Sequence, residues 1–275
     1  MSYFGLGMGL GGPPALVRGP HIAGAGLLPE LVAYRDTTDA TDLSGLNNLA
    51  GYLLDQSLYN DTMFASFKAA QNYGSGSAAA TLGGAQANEW TLVNGPTWGS
   101  DGLGLETGQA MRIADFLAGG INLTVFLRCT RTVSSDDRYL ISQYDTTANQ
   151  RSWGLAELGQ WIGYKSDNGT NLGSANGGTS NSGADTVFVI QFEEGVGGGR
   201  FFTNDVERTM SSAAAFNGIM TLHDSTADIV IGGRTGDGAL AVANGPMLAT
   251  AAAILRQTLP TQTQRETIRN LLSAL

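Results

Sequence analysis

Apolar and polar residues alternate with a period of two along much of this chain, and turn residues cut the alternation at short intervals. Ile121, Leu123, Val125 and Leu127 fall on one side of an extended segment, with Asn122, Thr124, Phe126 and Arg128 on the other, the signature of a sheet strand. Segments of the same kind follow at Tyr139–Tyr144, Trp153–Leu158, Gln160–Tyr164, Thr186–Glu193, Gly199–Thr203 and Asp228–Gly232. Thr186–Phe192 is apolar on both faces, which predicts a central strand. Short strands at turn-separated intervals predict an all-β chain folded as an antiparallel β-sandwich or jelly roll. By contrast 166–185, SDNGTNLGSANGGTSNSGAD, is too polar to build core and reads as a surface excursion.

Both ends depart from this pattern. After Gly245-Pro246 a last strand, Met247–Leu255, leads into a helix. Thr261 with Gln264, or Thr263 with Glu266, makes a capping box, and Ile268, Leu271, Leu272 and Leu275 form an apolar stripe by which the helix docks. At the other end, Phe4, Leu6, Met8 and Leu10 alternate with Gly5, Gly7, Gly9 and Gly11, so an extended leader has one greasy edge and one bare edge. Glycine loses the most entropy on ordering, and residues 1–30 have no core of their own. They read as an anchoring arm held by a neighbouring subunit, with Phe4, Leu6, Met8 and Leu10 as its interface residues. Residues 31–87 form a mixed lead-in: Asp36, Asp39 and Asp42 punctuate turns, Leu46–Phe67 has partly helical spacing, and GSGSAAATLGG at 74–84 is a loose linker.

The segment Trp90–Gly108, WTLVNGPTWGSDGLGLETG, combines an apolar strand, an Asn94-Gly95-Pro96 turn, an aromatic stretch, an Asp101-Gly102 turn and an alternating strand. It resembles the entry to a laminin-G-like, concanavalin A-like jelly roll of the kind found in bacteriophage structural proteins. The closing strand and helix resemble the end of the same module, so the likeness covers residues 88–275 as one domain. It implies a virion protein, assembled in the bacterial host cytoplasm, whose partners are other virion proteins.

Composition narrows the function classes. The 275 residues include 39 glycines and only 14% charged residues, which favours strands and tight turns over helical bundles. A net charge of −9 and scattered basic residues oppose binding to nucleic acid. Cys129 stands alone, so no intrachain disulfide or cysteine-based zinc site is expected. Residues 1–17 carry no charge but are broken by glycine, so they read neither as a signal peptide nor as a membrane span.

Candidate chemistry is sparse. Gly7-Met8-Gly9-Leu10-Gly11-Gly12 fits GxGxxG, yet Pro13-Pro14 follows and no strand precedes it, so no dinucleotide cofactor is expected. Glu193 and Glu194 are adjacent; in a strand they point to opposite faces and cannot flank one glycosidic bond. His223-Asp224-Ser225 are consecutive and cannot form a catalytic relay; His21 lies in the arm. Some laminin-G-like modules hold calcium at the sandwich rim, and Asp136, Asp137, Asp145 and Asp167 sit in predicted loops, but turn-forming is the ordinary role of such residues and no metal is assigned. Trp153, Trp161 and Tyr164 are close together in a predicted hairpin. They would serve either as sandwich core or as stacking platforms for a glycan.

The sequence therefore leads to a non-enzymatic, homo-oligomeric virion protein without cofactor, attached through its arm and displaying a jelly roll. A lectin-like protein that binds a host-surface glycan is the alternative, and a polysaccharide-cleaving enzyme a more distant one.

Overall fold

The computed structural model describes residues 62–68, 78–80, 89–131, 138–157, 159–179, 183–236, 239–240 and 246–274. In chain order the strands are β1 (Thr62–Ser66), β2 (Ala78–Ala80), β3 (Glu89–Val93), β4 (Thr97–Trp98), β5 (Leu103–Leu105), β6 (Ala110–Ile113), β7 (Leu123–Arg131), β8 (Arg138–Asp145), β9 (Gln150–Glu157) and β10 (Gln160–Gly169). There follow β11 (Gly173–Thr179), β12 (Thr186–Phe192), β13 (Arg200–Thr203), β14 (Val206–Arg208), β15 (Ser211–Ser212), helix α1 (Ala214–Gly218), β16 (Ile229–Ile231), β17 (Thr235–Gly236), β18 (Ala239–Leu240), β19 (Met247–Leu255) and helix α2 (Gln262–Ala274).

The strands form two sheets packed as a sandwich. One sheet has eight strands in the order β14-β13-β12-β7-β19-β5-β4, with β1 beside β5 on the same edge of β19. The other has eleven, in the order β15-β11-β10-β9-β8-β16-β6-β3-β2, with β17 and β18 attached to β8. Pairing is antiparallel throughout, apart from one parallel bridge between Thr235 and Asp145. The all-β sandwich and the closing helix are those expected from the alternation.

Inward-facing residues of both sheets make one core. Leu123, Val125, Leu127 and Cys129 of β7 meet Trp153, Trp161 and Ile229 from the opposite sheet, all buried. Trp161 lies 4.3 Å from Phe188 between ring centroids, and Phe67 meets Trp90 edge-on at 5.8 Å. Each such aromatic contributes roughly 1.5–3 kcal/mol by leaving water. β12 is buried at every position, central between β7 and β13. Its outer face lies beneath α2, which buries Ile268, Leu271 and Leu272.

Local chemistry explains how the ends hold. Thr261 and Gln264 exchange side-chain and backbone hydrogen bonds at 2.8 and 3.3 Å, the first of the two capping boxes offered by the sequence. Arg128 donates to the carbonyls of Leu272 and Ser273, where the helix dipole is negative. At the start, Asn94 and Gly95 both have φ near +60°, and their turn carries the chain from β3 in the larger sheet to β4 in the smaller one. Gly102 approaches β19 so closely that a Cβ there would stand 2.4 Å from the Ala249 carbonyl oxygen.

Two expectations change. The sandwich extends upstream of residue 88: β1 and β2 are paired strands, and Met63, Ala65 and Phe67 belong to the core. The polar stretch 166–185 is not a surface excursion throughout, because β10 continues to Gly169 and β11 pairs along it. Its small residues are what the packing requires: Ala175 is buried, and a Cβ on Gly177 would meet the Phe201 ring at 3.0 Å. Among the described residues no helix is long and apolar enough to cross a membrane.

Candidate functional site

The hairpin of β9 and β10 separates the three aromatic residues singled out in the sequence. Trp153 and Trp161 point into the sandwich, 0% and 2% exposed, the former donating its indole N–H to the Gln143 side-chain oxygen at 3.1 Å. Neither offers a ring face to a sugar. Tyr164, three positions after Trp161, has the opposite parity and stands on the outer face of the larger sheet, partly exposed.

There it joins a second aromatic group. Tyr164 stacks on Tyr139 at 5.7 Å, and Tyr139 lies 5.4 Å from Tyr144. Two bulges assemble this group. Tyr139 pairs with Ala156 and Ile141 with Leu155, so Leu140 is an extra residue on β8 that turns Tyr139 to the same face as Tyr144. Gln143 pairs with Trp153 but Tyr144 with Arg151, so Ser152 is an extra residue on β9 that turns Arg151 outward as well. Gly154 lies beneath the rings, where a Cβ would come within 3.5 Å of Tyr139.

Two cations flank the rings. The Arg151 guanidinium carbon is 5.8 Å from the Tyr144 centroid, and that of Arg234 is 5.1 Å from Tyr144 and 5.2 Å from Tyr139. Arg151 also donates to the Thr170 carbonyl of the β10–β11 turn. Neither guanidinium has a carboxylate partner among the described residues, although Arg112, Arg128, Arg131, Arg200 and Arg269 each do. A ring face attracts a cation placed over it, and the Nε of each of these two arginines is buried without a hydrogen-bond partner among the described residues. The outer face thus joins a half-exposed ring to two oriented positive groups.

Other candidates resolve into structure. The side chains of His223, Asp224 and Ser225 diverge: Asp224 accepts from the Gly119 N–H, Ser225 donates to the Gln150 carbonyl, and His223 is tied by its backbone to Ser166. Asp145 accepts from the Thr147 N–H, and Asp167 is exposed. Asp136, Asp137, His21, the glycine motif at 7–12 and the arm residues Phe4, Leu6, Met8 and Leu10 lie outside the described residues. Among the described residues no three acidic, histidine or cysteine groups gather as a metal site. A cleft of about 420 Å³ beside Arg208, Met210 and Phe216 has its acid, Glu207, already bonded to Arg200 at 2.6 Å.

Near that cleft is a residue whose only mark in the sequence is the rarity of its type. Lys165 is 2% exposed, and its ammonium donates to the carbonyls of Gly198 and Ile219 at 2.5 and 2.6 Å while facing the rings of Phe192 and Phe216. Burial pulls its amine down to about 8. It ties β10 to the turns at the sandwich end.

No protein-family model and no curated protein matches this chain. Solved structures do. A sialidase of Trypanosoma rangeli in complex with 2,3-difluoro-KDN superimposes with a TM-score of 0.55 at 14% identity, over 77% of this chain and 32% of the sialidase. A T. rangeli sialidase mutant displaying trans-sialidase activity gives 0.57 at 12%, over 90% and 39%. The botulinum neurotoxin serotype D binding domain gives 0.54 at 11%, over 77% and 52%. The chain thus spans about a third of the sialidase chains and half of the toxin domain, and at these identities the likeness establishes the β-sandwich fold. It also corrects the expectation of a chain outside enzyme classes: sialidases are enzymes, and their chains contain this sandwich. The spacing of acids within single strands, on which that expectation rested, says nothing of groups brought together from different strands.

Proposed function

We propose that this chain is a displayed recognition module: a laminin-G-like sandwich carried on a bacteriophage or phage-like particle, whose outer tyrosine–arginine face binds a glycan of the host surface. The observation that carries the recognition reading is the cluster of Tyr139, Tyr144 and Tyr164 flanked by Arg151 and Arg234, two cations with no carboxylate partner among the described residues. Aromatic faces offer sugar rings apolar area at low entropic cost, and oriented N–H groups supply direction. The particle setting is supported by the resemblance of residues 88–275 to phage modules. The glycine-spaced leader, with Phe4, Leu6, Met8 and Leu10, supplies the attachment, and multiple copies raise weak glycan affinity by avidity.

A glycan microarray probed with the intact protein tests recognition. Binding to a defined set of surface glycans, weakened by Tyr164→Ala, is expected; an array without signal refutes it. Deleting residues 1–20 tests attachment: the shortened protein stays folded and soluble but no longer joins the particle, and its continued incorporation would sink that part.

A further inference from the structure

We infer that the ligand of this face is a carboxylated sugar, a residue of the uronic or nonulosonic acid class, whose carboxylate is received by the guanidiniums of Arg151 and Arg234. The inference rests on the glycan-binding reading above and adds the chemistry of the ligand.

Charge distribution carries the argument. The chain holds 24 acidic residues against 15 basic ones, so an arginine has ample acids to pair with. Arg128, Arg200 and Arg269, on other surfaces, meet carboxylates at 2.6–2.8 Å. Arg151 and Arg234 stand within 6 Å of the same tyrosine ring, and neither has an acid beside it among the described residues. Each lacks the carboxylate compensation that Arg128, Arg200 and Arg269 have. A bound anion supplies it.

The ring contacts define which anion. Arg151 lies over the Tyr144 ring and donates one nitrogen to the Thr170 carbonyl, and Arg234 lies over two tyrosine rings. The Nε of each is buried without a partner among the described residues, so what remains to meet a carboxylate is the N–H groups of the terminal nitrogens. Two cations on a protein of net charge −9 are too few for a polyphosphate backbone, whose affinity depends on many neutralised phosphates. Tyr164, partly exposed at the end of the ring stack, meets the apolar face of a sugar ring, and the exposed Asn171 in the adjoining turn can hydrogen-bond its hydroxyls.

The test measures binding of the full-length chain to oligogalacturonate, to α2,8-linked oligosialic acid, to carboxyl-reduced forms of both and to neutral dextran fragments, by isothermal titration calorimetry or by glycan array. At least one acidic oligosaccharide is expected to bind, to lose about tenfold or more in affinity in Arg151→Ala and in Arg234→Ala, to weaken with added salt, and to lose binding on carboxyl reduction. Arg234→Lys, which keeps the charge but not the fork, should recover only part of the affinity. Binding that survives carboxyl reduction, or that is unchanged in the double arginine variant, overturns this inference and leaves the glycan-binding reading standing. Absence of binding to every acidic and neutral oligosaccharide overturns both.

Discussion

Lys165 and Cys129 pull stability in opposite directions as pH rises, and their balance peaks at about pH 9.7. In the unfolded chain the Lys165 amine titrates at its ordinary 10.5; in the folded protein burial lowers it to about 8. Between those values the unfolded state holds a proton that the folded state has released, so stability climbs with pH. From pH 7 to pH 9 the gain is about 1.3 kcal/mol. Cys129 acts in reverse. Its buried thiol is pushed up to about 12 from an ordinary 9.0, so its contribution is whole below pH 9 and lost as pH climbs toward 12. At pH 9 that loss is still only about 0.4 kcal/mol, leaving a net rise of about 1 kcal/mol over pH 7.

Urea denaturation followed by the fluorescence of the buried Trp90, Trp153 and Trp161 reads this directly. Lys165→Met keeps the stem among Phe192 and Phe216 but leaves the Gly198 and Ile219 carbonyls without their donor, so at pH 7 it should be destabilised by roughly 2 kcal/mol. Its stability should not rise between pH 7 and 9. Cys129→Ala should rise by about 1.3 kcal/mol over the same interval and keep climbing past the pH at which the native chain peaks. A native profile that is flat or falling from pH 7 to 9, or a Lys165→Met profile that still rises, would refute the reasoning.

Trp161→Ala should destabilise the sandwich by about 3–5 kcal/mol, because the indole fills the core against Phe188 and Phe201; a loss below 1 kcal/mol in the same urea assay would contradict its placement. Thr261→Ala removes one half of the α2 capping box and should cost about 1 kcal/mol, read as a lowered denaturation midpoint with the slope unchanged.

The layer architecture was legible because period-two alternation survives in the strands that matter most to it. Leu123, Val125 and Leu127 share a face by spacing alone, Thr186–Phe192 is buried at every position, and Met247–Leu255 is a strand with the bounds its apolar run implies. The stripe on α2 and its capping box were equally plain, since both are local. The polar run 166–185 was not, because its strands depend on partners. Glycine, serine and alanine carry little apolar signal, yet β11 needs their smallness to fit beneath Phe201 and Phe216. The same holds for β1, whose spacing looked partly helical until β19 paired with it.

The candidate site was hidden for a sharper reason. In an uninterrupted strand Tyr139 and Tyr144, five positions apart, would face opposite sides, as would Arg151 and Gly154. Parity therefore predicts that no such cluster exists. The extra residues Leu140 and Ser152 reverse the parity twice, once on each of two neighbouring strands, and only then do two tyrosines and an arginine share a face. Arg234 arrives from the segment after β16, on the far side of β8 from Arg151, so the pair is closed by topology rather than by sequence proximity. A bulge leaves a backbone residue unpaired and disrupts the ladder locally, a penalty that a purely structural sheet avoids in its middle. Two of them beside one ring, in the centre of an eleven-stranded sheet, turn otherwise inward or scattered side chains toward solvent together, and that outcome gives the outer face its chemistry.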